Sequence, residues 1–166
     1  MKASALLWPA AGLLLVLGAL SGLVSQTGSG CLSGDCQDGR GAYRWPGSGT
    51  YRGQFQRGVP TGAGVLEYVD GSSYAGGFAR GLPHGPGVIT FADGGRYTGD
   101  LVYGVLTGAG SYAFANGALY TGDFRRNRFH GRGRLEAPDG SVYDGEFRAG
   151  LSHGRGVLTL PEGLVR

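Results

Sequence analysis

Tyr51, Tyr74, Tyr97, Tyr120 and Tyr143 follow one another at intervals of 23 residues. Taking each tyrosine as slot 1 brings the rest of the chain into columns. Slot 3 is glycine in every copy: Gly53, Gly76, Gly99, Gly122 and Gly145. Slot 5 is Phe55, Phe78, Leu101, Phe124 and Phe147. Slots 12 and 14 are again always glycine, from Gly62 and Gly64 in the first copy to Gly154 and Gly156 in the last. Slot 20 is Asp70, Asp93, Asn116, Asp139 and Glu162, each followed by glycine. A fixed period of this size is the signature of a repeat architecture, in which each unit buries its apolar face only by stacking on its neighbours. The stretch GRGAYRW at 39–45 supplies the second half of one more unit, so five copies follow a leading half.

Each unit reads as two short strands. Slots 1–6 alternate, as in YRGQFQ, and slots 13–19 alternate again, as in AGVLEYV. A glycine-containing loop is expected between them, and the Asp-Gly or Asn-Gly pair turns the chain into the next unit. Asn127 stands in slot 8 where the other copies have glycine. Asparagine also tolerates positive φ, so a left-handed residue is expected there. The glycines of slots 3, 12 and 14 are read as making room for aromatic rings from neighbouring strands. Replacing Gly99 by valine is therefore expected to lower thermal stability. With 36 glycines in 166 residues the chain cannot be mostly helical, and without a Gly-X-Y period it is not collagen. Nine tyrosines, seven phenylalanines and two tryptophans argue against disorder. The expectation is an all-β fold: an elongated single antiparallel sheet of tandem β-hairpins over residues 39–166, of about eleven strands, preceded by an N-terminal apolar helix.

That helix is expected over residues 1–24, where Lys2 precedes an uncharged apolar run from Ala3 to Val24. A helix of this length covers ~33 Å, enough to span a bilayer. Two readings are open: a secretory signal cleaved near Ala19-Leu20-Ser21, or a retained membrane anchor. A third, lipidation of Cys31, lacks the leucine that a lipobox carries three residues earlier, where this chain has Gly28. All three export the remainder, as a periplasmic, extracellular or membrane-anchored protein. Residues 25–38 read as a linker carrying Cys31 and Cys36, a candidate disulfide that would cap the array.

The columns together, Tyr-x-Gly-x-Phe, then Gly-x-x-His-Gly-x-Gly, then Asp-Gly, resemble the MORN (membrane occupation and recognition nexus) repeat. The units at 74–94 and 143–163 match it most fully, and the resemblance covers residues 39–163. Departures are Thr61 and Thr107 in slot 11, and Ala137 and Leu160 in slot 18. The resemblance implies a β-hairpin array that serves as a binding or scaffolding module, similar to those of junctophilins and plant phosphatidylinositol phosphate kinases. It implies membrane association or self-association and no catalytic activity.

The residues themselves point the same way. His84, His130 and His153 all occupy slot 11. Units two strands apart are spaced by about 10 Å, and a metal–nitrogen bond is ~2 Å, so neighbouring histidines do not share an ion. The slot-20 carboxylates are turn formers on the surface and lack the burial that general acid–base pairs need. No serine or cysteine nucleophile has a base motif beside it, and the glycines precede no helix or Lys-Ser/Thr of a phosphate loop. No cofactor or metal is implied. The least repetitive feature is basic: Arg125, Arg126, Arg128, Arg132 and Arg134, in a chain of net charge +3. This cluster is a candidate site for anionic lipid headgroups, against the plainer reading of a solvated loop. The expected function is a non-enzymatic scaffold at a membrane or cell envelope that binds protein partners or self-associates. The alternative is direct lipid binding through arginines 125–134. Nucleic acid is not an expected partner of an exported chain.

Overall fold

The computed structural model describes residues 30–161. The apolar helix expected at 1–24, and residues 25–29 of the linker after it, lie outside the described residues. Within them the chain forms one antiparallel sheet of twelve strands in sequential order. These are β1 (Gly30–Gly34), β2 (Arg40–Trp45), β3 (Gly49–Gln56), β4 (Val59–Tyr68), β5 (Ser73–Ala79), β6 (Leu82–Thr90), β7 (Arg96–Val102), β8 (Val105–Ala113), β9 (Leu119–Arg125), β10 (Arg128–Glu136), β11 (Val142–Arg148) and β12 (Leu151–Thr159). The strand beyond the expected number is β1. It arises within the segment read as linker, pairs with β2, and carries Cys31, which is disulfide-bonded to Cys36.

The hairpins are tighter than the sequence suggests. Slots 7 and 8 alone form the loop, and both have positive φ: 50° and 73° at Arg57 and Gly58, 52° and 64° at Arg126 and Asn127. Two successive left-handed residues make a turn whose twist matches that of the flanking strands. The second strand therefore begins at slot 9 rather than slot 13, as β4 does at Val59. It then passes through a bulge. Gly53 pairs with Gly64, but the next residue, Gln54, pairs with Thr61, so Gly62 and Ala63 are extra on β4. Slot-12 glycines sit in this bulge with φ of 59° at Gly62 and 63° at Gly131. Their requirement is backbone conformation and not the ring clearance expected from the sequence.

Slots 3 and 14 do provide ring clearance. Because the ladder pairs slot 3 with slot 14 both within and between units, one glycine from every strand lines up across the sheet. The row runs Gly34, Gly41, Gly53, Gly64, Gly76, Gly87, Gly99, Gly110, Gly122, Gly133, Gly145 and Gly156. Each slot-1 tyrosine lays its ring over the glycine pair of its own hairpin, and not of a neighbouring one. A Cβ added at Gly53 or Gly64 would run into Tyr51, and one added at Gly87 into Tyr74. The phenol then reaches the main chain at the bulge. Tyr74 Oη donates to Gly77 O at 2.9 Å, Tyr97 to Asp100 O at 3.0 Å and Tyr120 to Asp123 O at 2.9 Å. The register break interrupts the ladder beside these slot-4 carbonyls, and the hydroxyl gives them a donor. Phenylalanine could cover the glycines but could not do this.

Units are joined through the same rings. Tyr51 packs edge-on against Phe78 of the next unit with centroids 4.7 Å apart, and Tyr97 against Phe124 at 4.9 Å. Such pairs are worth about 0.5–1.5 kcal/mol beyond their buried area. Tyr51, Tyr97 and Tyr120 are fully buried. A main-chain clasp adds to each junction: slot 8 donates to the slot-10 carbonyl of the preceding unit, as from Gly81 N to Pro60 O at 3.0 Å and Gly104 N to Pro83 O at 2.8 Å. The core is thus a sum of nearest-neighbour contacts along one layer.

Candidate functional site

Alternation along the strands places the side chains of slots 2, 4, 6, 13, 15 and 17 on the face opposite the tyrosines. This face and the hairpin tips carry most of the charge. Asp70, Asp93 and Asp139 lie instead in the turns between units. There Asp70 Oδ1 accepts from Ser72 N at 2.8 Å and Ser72 Oγ at 2.6 Å, and Asp139 repeats the pattern with Ser141. These hydrogen bonds, the side-chain one first, hold both carboxyls below the usual carboxylate range. Their geometry is that of turn-forming side chains.

The five clustered arginines are divided by the fold. Arg125 and Arg128 face each other across the β9–β10 hairpin, and Arg126 forms its turn. Arg132 lies opposite Glu146 on β11, and its backbone N–H donates to Asp123 Oδ2 at 3.3 Å. Arg134 is engaged by Glu136 at 3.0 Å and Asp144 at 3.9 Å. What the cluster brings together is therefore not the whole run. Arg125 and Arg132 instead line a shallow groove of about 490 Å³ with His130, Glu146, Arg148 and His153. Arg148 was missed along the chain because it lies a full unit beyond Arg125, and His153, singled out as a slot-11 histidine, was not joined to the arginines. Reading the arginines down the columns, as the histidines were read, would have brought them together.

Two of the slot-11 histidines, His130 and His153, line this groove, and the third does not. The His84 ring packs at a tilt against Tyr103 with centroids 4.8 Å apart, and it has a buried Nδ1 without a hydrogen-bond partner among the described residues. Among the described residues no cluster of three or more His, Cys, Asp or Glu side chains is placed to hold a metal ion. No helix among them is long and apolar enough to cross a membrane.

The hairpin-tip edge, slots 6–9, has a distinct composition. It presents Arg57, Arg80, Arg125, Arg126, Arg128 and Arg148 with no acidic residue, interspersed with exposed Val59, Val102, Tyr103 and Val105. Among the described residues none of these arginines is paired with a carboxylate; Arg80 instead sits 6.0 Å from the Tyr103 ring centroid. At the end of the sheet, β12 is exposed along its whole length, with Leu151, Val157 and Leu158 57–66% exposed.

No curated protein matches the chain. Among solved structures it is similar to the TCP domain of SAS-4 (dCPAP) of Drosophila melanogaster, solved in complex with a proline-rich motif of Ana2 (dSTIL). The two are 13% identical over 87% of this chain and 94% of that one, with a TM-score of 0.34. The family model for the MORN repeat matches five consecutive segments, at 51–73, 74–96, 97–119, 120–142 and 143–165, each opening on one of the slot-1 tyrosines. With the glycine row, the tyrosine interlock and the hairpin array already in place, these matches identify the chain: it belongs to the MORN repeat family.

Proposed function

We propose that this chain is an interaction scaffold at a membrane or cell envelope, which holds protein partners or further copies of itself along and at the end of its sheet. MORN repeats are modules of protein and membrane interaction and carry no catalytic machinery of their own. The observation that carries the reading is β12. Its slot-16 residue, Leu158, is 61% exposed, whereas the corresponding Ile89 and Tyr112 are 5% and 2% exposed in interior strands. An edge whose outward main-chain groups have no partner among the described residues, beside uncovered apolar side chains, is a template for a further strand. Light scattering of the chain over a concentration series tests self-association. The Val157→Arg, Leu158→Arg variant should shift the equilibrium to monomer; a wild-type chain that stays monomeric at high concentration would leave only partners of a different sequence.

Export is part of the proposal, through residues 1–24. The Cys31–Cys36 disulfide supports it, since such bonds persist in oxidising compartments. Mass spectrometry of the mature N-terminus separates cleavage, retention and lipidation. A second reading, direct binding of anionic headgroups through Arg125, Arg126, Arg128, Arg132 and Arg134, is favoured by the hairpin-tip edge, whose slots 6–9 are basic and apolar with no acidic residue among them. Co-sedimentation with anionic vesicles tests it, with all five arginines changed to glutamine as the comparison.

A further inference from the structure

The repeat contains its own internal comparison. Slots 6, 11 and 13 lie on the face opposite the tyrosines. In the first three units they hold Gln56, Thr61 and Ala63; Ala79, His84 and Pro86; and Val102, Thr107 and Ala109. In the last two units all three slots are basic: Arg125, His130 and Arg132, then Arg148, His153 and Arg155. The fold does not require this, because units without these residues adopt the same strands, turns and bulge. The leading half-unit has Arg40 in slot 13 but Asp38 in slot 11, so it does not complete the set.

The fold sets the two basic triads side by side. Five of the six residues line one groove: Arg125, His130 and Arg132 of one unit, and Arg148 and His153 of the next. The sixth, Arg155, is exposed on β12. Two carboxylates border the groove, and both are turned onto the bulges: Glu146 Oε2 occupies the space that a Cβ at Gly154 would take, and Asp123 Oδ2 that of a Cβ at Gly131, where it accepts from the Arg132 backbone N–H. None of the groove's arginines is paired with a carboxylate among the described residues. Equivalent residues of the two units are spaced by two strands, about 10 Å.

From this juxtaposition we propose that slots 6, 11 and 13 of the last two units form a binding site for a polyphosphorylated anion. It rests on the same basic excess as the headgroup reading above, but moves the contact from the hairpin turn to the face. Guanidinium groups offer paired donors to phosphoryl oxygens, and the imidazoles add single N–H donors between them. Two triads at that separation suit a ligand with more than one phosphoryl group. The ligand is either a soluble polyphosphate or a phosphorylated lipid headgroup.

Calorimetric titration of the full chain with inorganic tripolyphosphate is the test. The variant Arg125→Gln, His130→Thr, Arg132→Ala, Arg148→Gln, His153→Thr, Arg155→Ala gives both units the residues of the first, which keeps the fold on known ground. It should bind about tenfold or more weakly, the effect of losing at least one charge-assisted contact. A charge-matched variant, Arg40→Gln, Arg44→Gln, Arg52→Gln, Arg96→Gln, which leaves both the groove and the hairpin-tip edge untouched, should bind as the wild type does. Conversely, Gln56→Arg, Thr61→His, Ala63→Arg should add binding capacity at the first unit. If the two charge-reduced variants weaken alike, or wild type binds neither tripolyphosphate nor phosphatidic-acid vesicles, the site does not exist. Vesicles of phosphatidylcholine with phosphatidic acid assign the source. Binding lost only in the six-residue variant makes it a headgroup, and tripolyphosphate binding without vesicle binding makes it a soluble anion. The headgroup reading fails separately, when the five-arginine variant sediments with vesicles as wild type does.

Discussion

Gly87→Ala adds one carbon at the centre of the array, and its cost can be worked out from the contacts there. The residue has ordinary strand geometry, so alanine meets no backbone strain. The new Cβ would stand 2.6 Å from Tyr74 Oη and 2.7 Å from Tyr74 Cζ, with Cε2 nearer still. Ordinary carbon contacts need ~3.5–4.0 Å, so the ring must retreat by roughly 1 Å. Tyr74 is 1% exposed and sits against Phe78 at 5.2 Å, so it retreats into occupied space. Overpacking of this kind costs ~1–3 kcal/mol. The retreat also breaks the 2.9 Å bond to the half-buried Gly77 O, and a carbonyl left there without its donor costs ~1–3 kcal/mol. Restricting the unfolded chain returns about 0.4–1 kcal/mol. The net is a loss of roughly 1–6 kcal/mol. The assay is chemical denaturation of wild type, Gly87→Ala, Tyr74→Ala and the double variant. Tyr74→Ala alone should cost ~3–5 kcal/mol. With the ring gone, Gly87→Ala should become neutral or stabilising, so the two changes couple by more than about 1 kcal/mol. If Gly87→Ala costs the same with and without the Tyr74 ring, the interlock is not what holds glycine in this row.

Three further outcomes follow from the same geometry. Burial pushes the Tyr68, Tyr74, Tyr97 and Tyr112 phenols up to about 12; a raised folded value contributes stability that is complete below the ordinary phenol range and lost as pH climbs through the folded value. Absorbance titration should therefore show ionisation of these four tyrosines and loss of the far-ultraviolet strand signal together between about pH 10 and 12, whereas these four ionising at the ordinary value with the sheet intact would contradict the burial. Asn127→Gly restores the repeat's own slot-8 residue, yet should lower stability by about 1 kcal/mol, because Leu106 N–H donates to Asn127 Oδ1 at 2.7 Å and has no such acceptor in the variant. Removing both Cys31 and Cys36 by alanine should cost about 2 kcal/mol for so short a loop, and hydrogen exchange should quicken in β1 while β5–β9 keep their protection.

The architecture was legible because the repeat constrains each column separately. Tyrosine, glycine and Asp-Gly recur at fixed slots, and each has a local reason to do so. The turn at slots 7 and 8 was half legible. Gly58 and Asn127 announce positive φ, but nothing in the chemistry of Arg57 or Tyr103 does, and their left-handed backbone is imposed by the two-residue connection. The slot-12 glycine was read as ring clearance, since a bulge and a ring contact leave the same residue in the sequence. Strand β1 lay hidden in a segment too short and too rich in glycine to read as a strand. It forms because β2 offers it a paired edge. At the candidate site, the run of arginines drew attention to sequence neighbours, whereas the sheet groups residues 23 apart. That is why Arg134 drops out, held by Glu136 and Asp144, and Arg148 and His153 come in.

The central structural claim is that each slot-1 tyrosine ring packs over a pair of glycines from its own hairpin. Proton chemical shifts report this directly, because a ring over a glycine shields its Hα protons. The Hα resonances of Gly64, Gly87 and Gly133, beneath Tyr51, Tyr74 and Tyr120, should be displaced upfield. Those of the turn glycines Gly71, Gly94 and Gly117, which have no neighbour where a Cβ would stand, should fall in the ordinary range. In Tyr74→Leu the displacement should vanish at Gly87 and persist at Gly64. Indistinguishable shifts for the row and the turns, or a Gly87 shift indifferent to the loss of Tyr74, would contradict the account.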